Sequence, residues 1–224
     1  INEENKLAIM HERLSIVGVE NGSQPIIYYN KYILCVNGEI YNYKELYNSV
    51  LHNKYKPQTQ SDCEVIIYLY KEFGEQCVKM LDGIFSFILY DVENNKLFIA
   101  RDPIGVIPLY YGFNNNGKEN SNGNSNSINN ENICFSSELK VLEDFNNCNI
   151  VPPGHFMNIT IYDINNKENL FTNFNYLFQK YYMPSWDNEK YITYDENEEF
   201  YQMIRQNLTD SVEKRLMSEV PFGV

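Results

Sequence analysis

The chain has 224 residues, a mass of 26.4 kDa and a formal net charge of −12, from 18 basic and 30 acidic side chains. This length supports one large domain with its own core plus a tail. The acidic balance without a basic block argues against a nucleic-acid or anionic-membrane surface, and no apolar run reaches the roughly 18 to 20 residues of a membrane span.

The five cysteines argue against a disulfide framework, because their number is odd and no C-x-x-C pair occurs. The three histidines show no paired spacing, so a zinc site is not expected either. We expect a reducing compartment, the cytoplasm, and no metal site within this chain.

The first forty residues contain four predicted extended segments, at 7–10, 14–19, 26–29 and 32–36. The last is an apolar run that ends at Asn37-Gly38, a pair that favours a sharp turn with a positive φ. Such a turn can point a side-chain amide and a backbone N–H at one place, as stabilisation of an oxyanion requires. Taken alone, an Asn-Gly pair is far more often a hairpin turn than a catalytic feature.

The best-marked helix is predicted to begin at Ser61, which forms a capping box with Glu64 in the pattern S-x-x-E. Gly74 ends this helix. Its apolar face follows helical spacing and consists of Val65, Ile66, Leu69, Tyr70 and Phe73. Shorter helices are predicted on either side, at 43–51 and 75–81.

The second half of the chain predicts two hairpins and a further extended segment. The predicted arms are 84–92 with 97–101 and 109–113 with 133–135, and the further segment is 155–164. Between the second pair lies 114–132, which is rich in Asn, Ser and Gly and is predicted to be a disordered surface insertion. At the end of 97–101, the R-D-x-x-G pattern predicts a turn with an internal Arg101–Asp102 pair.

The last part of the chain is aromatic and irregular from 170 to 195, and a helix is predicted from 196 to 218. The aromatic side chains could stack nucleic-acid bases, but the negative charge favours packing against a neighbouring domain. Many short strands in hairpins with few helices predict an α+β fold with mainly antiparallel sheets.

A set of motifs occurs in one order along nearly the whole chain. They are H-E-R-L-S-I-V at 11–17, V-N-G-E-I-Y-N at 36–42, Q-S-D-C-E-V-I at 60–66, R-D-P-I-G at 101–105, P-L-Y-Y at 108–111, S-S-E-L-K at 136–140, P-P-G-H-F at 152–156 and E-V-P-F-G-V at 219–224. Together they resemble the glutaminase half of glutamine-hydrolysing asparagine synthetases, a class II glutamine amidotransferase domain.

The resemblance implies an αββα sandwich of the N-terminal-nucleophile hydrolase type, followed by the start of an α/β synthetase domain. It predicts an amidotransferase domain at 1–165, a linker at 166–195 and the first helix of the synthetase domain at 196–224. The family's terminal cysteine, its R-H-R-G-P-D stretch and its ATP-binding L-S-G-G-L-D-S loop do not occur in the sequence. We therefore expect a chain truncated at both ends.

The resemblance also implies a glutamine-binding site. Its residues would be Arg13, Leu14, Ser15, Ile16, Val17, Asn37, Gly38, Glu39 and Asp62. The planar guanidinium of Arg13 would bond the substrate carboxylate, and Glu39 with Asp62 would contact its ammonium group. The Asn37 side-chain amide and the Gly38 N–H would form the oxyanion hole. Without the resemblance, Arg13 would be read as a surface ion pair and Asp62 as a carboxylate favoured by the helix dipole.

The family's activity would be glutamine hydrolysis, transfer of ammonia, and its use with aspartate and ATP to make asparagine. ATP and Mg²⁺ would bind the synthetase domain, and no cofactor is expected in residues 1–224. The nucleophile would be a terminal cysteine with its own α-amine as base, which Ile1 cannot replace. Cys35 and Cys63 are expected to be inert, so residues 1–224 alone should lack glutaminase activity.

Glutamine is the expected partner, with aspartate and ATP reached through the synthetase domain, and the resemblance leaves a homodimer open. A second hypothesis is a non-catalytic relative that binds an amino acid or a partner protein. The absent nucleophile favours this second hypothesis, whereas the complete set of pocket residues favours a truncated enzyme.

Overall fold

The structure is a computed structural model that describes residues 7–114, 133–160, 178–188, 197–221 and 223. Its nine strands, within these ranges, are β1 (Ile26–Tyr28), β2 (Tyr32–Ile40), β3 (Gly83–Asp91), β4 (Lys96–Arg101), β5 (Tyr110–Phe113), β6 (Ile133–Ser136), β7 (Asn147–Ile150), β8 (His155–Thr160) and β9 (Gln179–Lys180). Its α-helices are α1 (Tyr43–Glu45), α2 (Val65–Phe73) and α3 (Glu198–Arg215). A π-helical turn, Leu46–Val50, continues α1.

Six strands form an antiparallel sheet in the order β1-β2-β3-β4-β8-β9. The central strands β3 and β4 are apolar along nearly their whole length, because both faces of this sheet are covered. The predicted hairpin at 84–101 is therefore confirmed. β9 lies in the segment predicted to be a linker and pairs with β8.

Three strands form a second antiparallel sheet in the order β6-β5-β7. Its β5–β6 pair confirms the second predicted hairpin, whose connection from 115 to 132 lies outside the described residues. Gly112 of β5 packs against the Phe145 ring, because an added Cβ at this position would lie 2.9 Å from the ring. No larger side chain fits there without a shift of that ring.

The core has two parts, one on each face of the six-stranded sheet. The helical layer packs on one face, where Val65, Ile66 and Leu69 of α2 are fully buried. The other face packs on β5 of the smaller sheet through Tyr111 and Phe113. The fold is thus α+β with antiparallel sheets, as predicted.

The start of α2 differs from the predicted capping box. Ser61 Oγ does accept a hydrogen bond, from the Cys63 N–H at 3.3 Å. Glu64, however, is 1% exposed and accepts from the N–H groups of Gln58 and Thr59 at 2.7 and 2.6 Å. The predicted bond from the Ser61 N–H to the Glu64 side chain is therefore wrong. The Glu64 carboxylate accepts N–H groups of the loop before the helix instead.

The predicted Arg101–Asp102 pair is also wrong. Arg101 donates to the carbonyls of Ile107 and Val151, both at 2.7 Å, and also to that of Gly105. Asp102 accepts backbone N–H groups of the same loop. The two described side chains bond the backbone and not each other, because both are buried and each needs several partners.

Helix α3 confirms the helix predicted near the end of the chain, with Asn197 as its N-cap. Its apolar side chains remain exposed among the described residues. The exposed set is Tyr201, Met203, Ile204, Leu208 and Val212. Within the described ranges, no helix is long and apolar enough to cross a membrane.

Candidate functional site

Three segments that are distant in sequence meet at the predicted glutamine site. They are loop 13–19, the end of β2 at 37–40, and the turn at 60–62 that begins the helical segment before α2. Gly18 packs against the Gln60–Ser61 peptide, where an added Cβ would lie 2.7 Å from the Gln60 carbonyl carbon. The first and third segments are therefore in direct contact.

Asn37 and Gly38 lie within β2, so the predicted turn after Val36 is wrong. Asn37 is opposite Ser86 and Gly38 opposite Phe85, and the strand continues to Ile40. Gly38 has φ +139°, and a Cβ there would lie 2.0 Å from the Ile84 carbonyl oxygen. The positive φ was predicted correctly, but its cause is close contact with β3. The Asn37 side chain is exposed and is therefore open to a ligand.

Asp62 joins the helix start to the end of β2. Its Oδ2 atom accepts the Ile40 N–H at 2.7 Å, and the side chain is only 4% exposed. The Cys63 thiol lies 3.7 Å from the same oxygen and donates to the Gly38 carbonyl at 3.5 Å. Burial raises the pKa of Asp62, although the hydrogen bonds that it accepts oppose the shift.

Glu39 is half-buried beside Asp62 at the end of β2. Burial raises the pKa of Glu39, the negative charge of Asp62 raises it further, and Arg215 lowers it. Two neighbouring carboxylates with raised pKa values form a site that favours a cation, because a positive ligand removes their mutual repulsion. The ammonium group of an amino acid has this charge.

Arg13 binds the backbone of its own loop. One guanidinium nitrogen, Nη2, donates to the carbonyls of Val17 and Gly18, each at 2.8 Å. Its other N–H groups, Nε and Nη1, make no hydrogen bond to the described residues and can bond an anion.

The predicted lining residues of the glutamine site differ in exposure, since Leu14 is 87% exposed and Val17 only 5%. The extended segment predicted at 14–19 is a series of bends and turns.

The sequence model for the family described as "Glutamine amidotransferase domain" matches residues 1–194. The chain belongs to this family. The chain is also 42% identical to a probable glutamine-hydrolysing asparagine synthetase of Schizosaccharomyces pombe, over 98% of this chain and 35% of that protein. A probable asparagine synthetase of Dictyostelium discoideum is 37% identical, over 100% of this chain and 36% of that protein. The amidotransferase chain thus spans about a third of the length of these curated relatives.

Among solved structures, the allosteric regulatory enzyme of purine biosynthesis is similar, with a TM-score of 0.51 and 22% sequence identity. The match covers 67% of the amidotransferase chain and 32% of the other chain. At this identity the likeness shows the fold alone. It agrees with the predicted α+β fold of mainly antiparallel sheets.

Several residues that shape the amidotransferase site were missed by sequence reasoning. The Gln24 side-chain amide bonds both the N–H and the carbonyl of Val36, at 2.8 and 2.7 Å, and so continues the pairing of β2 beyond β1. Asn42, the last residue of the V-N-G-E-I-Y-N motif, bonds the Met80 carbonyl and the Asp82 N–H at 2.9 and 3.0 Å. The motif indicated that Asn42 matters, but only the structure shows that its role is to hold the turn before β3.

Two cysteines of the chain, Cys35 and Cys63, are held as thiols by burial. Burial raises the pKa of Cys35 to about 11 and that of Cys63 well above its ordinary value. Both therefore remain protonated near neutral pH, whereas the attacking species would be a thiolate. The described residues also contain no group of three or more metal-binding side chains.

Proposed function

We propose that the chain is the glutaminase portion of a glutamine-hydrolysing asparagine synthetase. The observation that carries this proposal is the similarity to proteins of that name over nearly the whole chain, at 37–42% identity for the two relatives described above. The whole protein would make asparagine from aspartate, ATP and ammonia released from glutamine. The names of the relatives favour this hypothesis over that of a non-catalytic binding protein.

Glutamine would be held at both ends of its amino-acid group. The Nε and Nη1 donors of Arg13 would bond the carboxylate, because Nη2 is already used by the loop. Glu39 and Asp62 would face the ammonium group, since the negative charge of Asp62 raises the pKa of Glu39 and a cation beside the two carboxylates would remove this repulsion. Asp62 would do so while its Oδ2 atom keeps the Ile40 N–H, because a carboxylate has about four lone-pair sites.

The side-chain amide of glutamine would be attacked near Asn37 and Gly38. The exposed Asn37 amide and the Gly38 N–H would stabilise the oxyanion, an effect for which one donor is typically worth about 10²- to 10³-fold in rate. The nucleophile would be a terminal cysteine thiol with its α-amine as base. Because Cys35 and Cys63 are protonated thiols, residues 1–224 alone are predicted to be inactive.

The ligase reaction would take place outside the described residues. ATP and Mg²⁺ would bind the synthetase part of the protein, where ATP supplies the energy to activate aspartate. The described residues provide no three-ligand cluster for a metal ion. The proposed location of the whole protein is the cytoplasm, since a reducing compartment fits five free cysteines.

The test uses the full-length protein with amide-¹⁵N-labelled glutamine, aspartate, ATP and Mg²⁺. We expect labelled asparagine and one glutamate per asparagine, measured by mass spectrometry. Arg13→Ala should abolish labelling from glutamine but leave synthesis from ammonium chloride unchanged. Release of no glutamate by the wild-type protein would overturn the proposal, as would equal loss of both activities in the variant.

A further inference from the structure

The segment that follows α3, residues 216–221, lies across loop 13–19. The Glu219 N–H donates to the Ile16 carbonyl at 2.9 Å. The Glu219 carboxylate accepts the Val19 N–H at 3.2 Å through Oε2. A single residue near the end of the chain thus bonds the backbone of this loop at two points.

The same loop is held from within by Arg13. Its Nη2 atom bonds the Val17 and Gly18 carbonyls, which lie between the two peptides that Glu219 bonds. Four consecutive residues, 16 to 19, therefore have a backbone group fixed by either Arg13 or Glu219. If the outer bonds were lost, the Val17 and Gly18 carbonyls could move, and the direction of the Arg13 guanidinium would change with them.

Helix α3, which leads into this tail segment, is anchored next to the end of β2 and the start of β3. The Arg215 guanidinium lies 5.0 Å from the centre of the Tyr41 ring, and the Lys214 ammonium lies 2.7 Å from the Asp82 carboxylate. The Ser218 hydroxyl accepts the Val220 N–H at 3.1 Å and so fixes the turn that presents Glu219. The tail segment is therefore held on one side by the anchored end of α3 and on the other by the bonds of Glu219 to loop 13–19.

We propose that Glu219 is a positioning residue for the glutamine site, which orients Arg13 through the backbone of loop 13–19. This inference rests on the proposed function for its kinetic consequence, but not for its structural one. Loss of the carboxylate removes a charge-assisted hydrogen bond to Val19, while the main-chain bond to Ile16 remains. The site then binds glutamine less tightly because Arg13 is no longer held in one orientation.

The first test is hydrogen exchange of the full-length protein, which needs no substrate. In Glu219→Ala, amides in a peptide containing Val19 should exchange faster than in the wild type, since the bonded N–H becomes free. Glu219→Gln keeps an oxygen for the Val19 N–H, so its exchange should stay close to that of the wild type. Glu213→Ala, an exposed change on α3, is the matched control and should have no effect. Unchanged exchange in Glu219→Ala would overturn the proposal.

The second test separates binding from chemistry. For Glu219→Ala we expect the KM for glutamine to rise about 5- to 10-fold, the size expected from one hydrogen bond. The ammonia-dependent rate should stay unchanged, and Glu219→Gln should recover most of the loss. An unchanged KM, or a parallel fall of both rates, would overturn the positioning role. A wild-type protein without glutaminase activity would overturn the proposed function instead, and hydrogen exchange would still decide whether Glu219 holds the loop.

Discussion

The Asp62 carboxylate accepts the Ile40 N–H at 2.7 Å, and this bond joins the start of the helical layer to the end of strand β2. Ile40 is fully buried, so its N–H needs a partner inside the protein. The same carboxylate lies beside Glu39, which makes it part of the candidate glutamine site. One side chain therefore has both a structural role and a proposed functional one, and substitutions can separate the two.

Asp62→Ala should lower the free energy of unfolding by about 1–3 kcal/mol, because the Ile40 N–H would be left buried without an acceptor. Asp62→Asn keeps an oxygen for this N–H and should cost less. Both variants should lose glutamine-dependent activity in the full-length protein. Thermal unfolding and glutaminase assays check this, and equal stability loss in the two variants would contradict the role given to the bond.

The raised pKa values of Glu39 and Asp62 predict a pH effect on stability. At pH values between the ordinary carboxyl pKa of about 4 and the raised pKa values of the folded state, these two groups bind more protons in the folded protein than in the unfolded chain. The stability that these two groups contribute is therefore present at low pH and is lost as pH rises through their folded pKa values. Glu39→Gln should consequently gain stability relative to the wild type as pH rises from about 4. Unfolding measured over this pH range checks the sign, and Glu45→Gln on the exposed face of α1 is the control.

The same shifts predict the pH dependence of glutamine use. The ammonium group of the substrate needs ionised carboxylates, and raised pKa values extend the protonated forms to higher pH. The KM for glutamine should rise as pH falls through these values, while the KM for ammonia should not follow the same curve. Glu39→Gln removes a neighbouring charge from Asp62, so the rise should move to lower pH. A curve that does not move would show that the two carboxylates do not interact.

Patterns in short stretches of sequence predicted the strands and helices that depend only on neighbouring residues. Strands β2 to β4 and helix α2 follow from apolar runs and from breaks such as Gly74. The turn predicted at Asn37-Gly38 was wrong because pairing with β3, a strand distant in sequence, keeps this segment extended. The Glu219 contact with loop 13–19 joins opposite ends of the chain, and no local pattern predicts such a pair.

Gly38→Ala should destabilise the protein strongly. The new Cβ would lie 2.0 Å from the Ile84 carbonyl oxygen, so β2 and β3 would have to separate. Gly74→Ala is the matched control, since Gly74 also has a positive φ but an added Cβ meets nothing within 4 Å. We expect a loss of about 1–2 kcal/mol for the control, from backbone strain alone, and a clearly larger one for Gly38. Thermal unfolding of both variants checks this, and equal losses would contradict the close contact with β3.

Asp102→Ala should also be strongly destabilising. The fully buried carboxylate accepts four consecutive N–H groups, those of residues 104 to 107, at 2.6–3.2 Å. An alanine would remove the carboxylate from all four donors, of which the Gly105 N–H would keep its bond to the residue 102 carbonyl at 3.2 Å. We expect a loss of at least about 3 kcal/mol, or roughly 6 °C or more in Tm.

Asp102→Asn should fall between Asp102→Ala and the wild type, because only one of its two side-chain polar atoms accepts hydrogen bonds. Asp144→Ala, an exposed change after the 3₁₀ turn at Leu139–Leu142, should leave Tm nearly unchanged. The loop at 104–107 also lines a cleft, through Ile104, together with Tyr41 and Arg215. If Asp102→Ala disorders this loop, the contact of α3 with the rest of the protein should loosen, and hydrogen exchange at 214–219 should become faster. A low Tm without that faster exchange would show that the loop and the tail segment are independent.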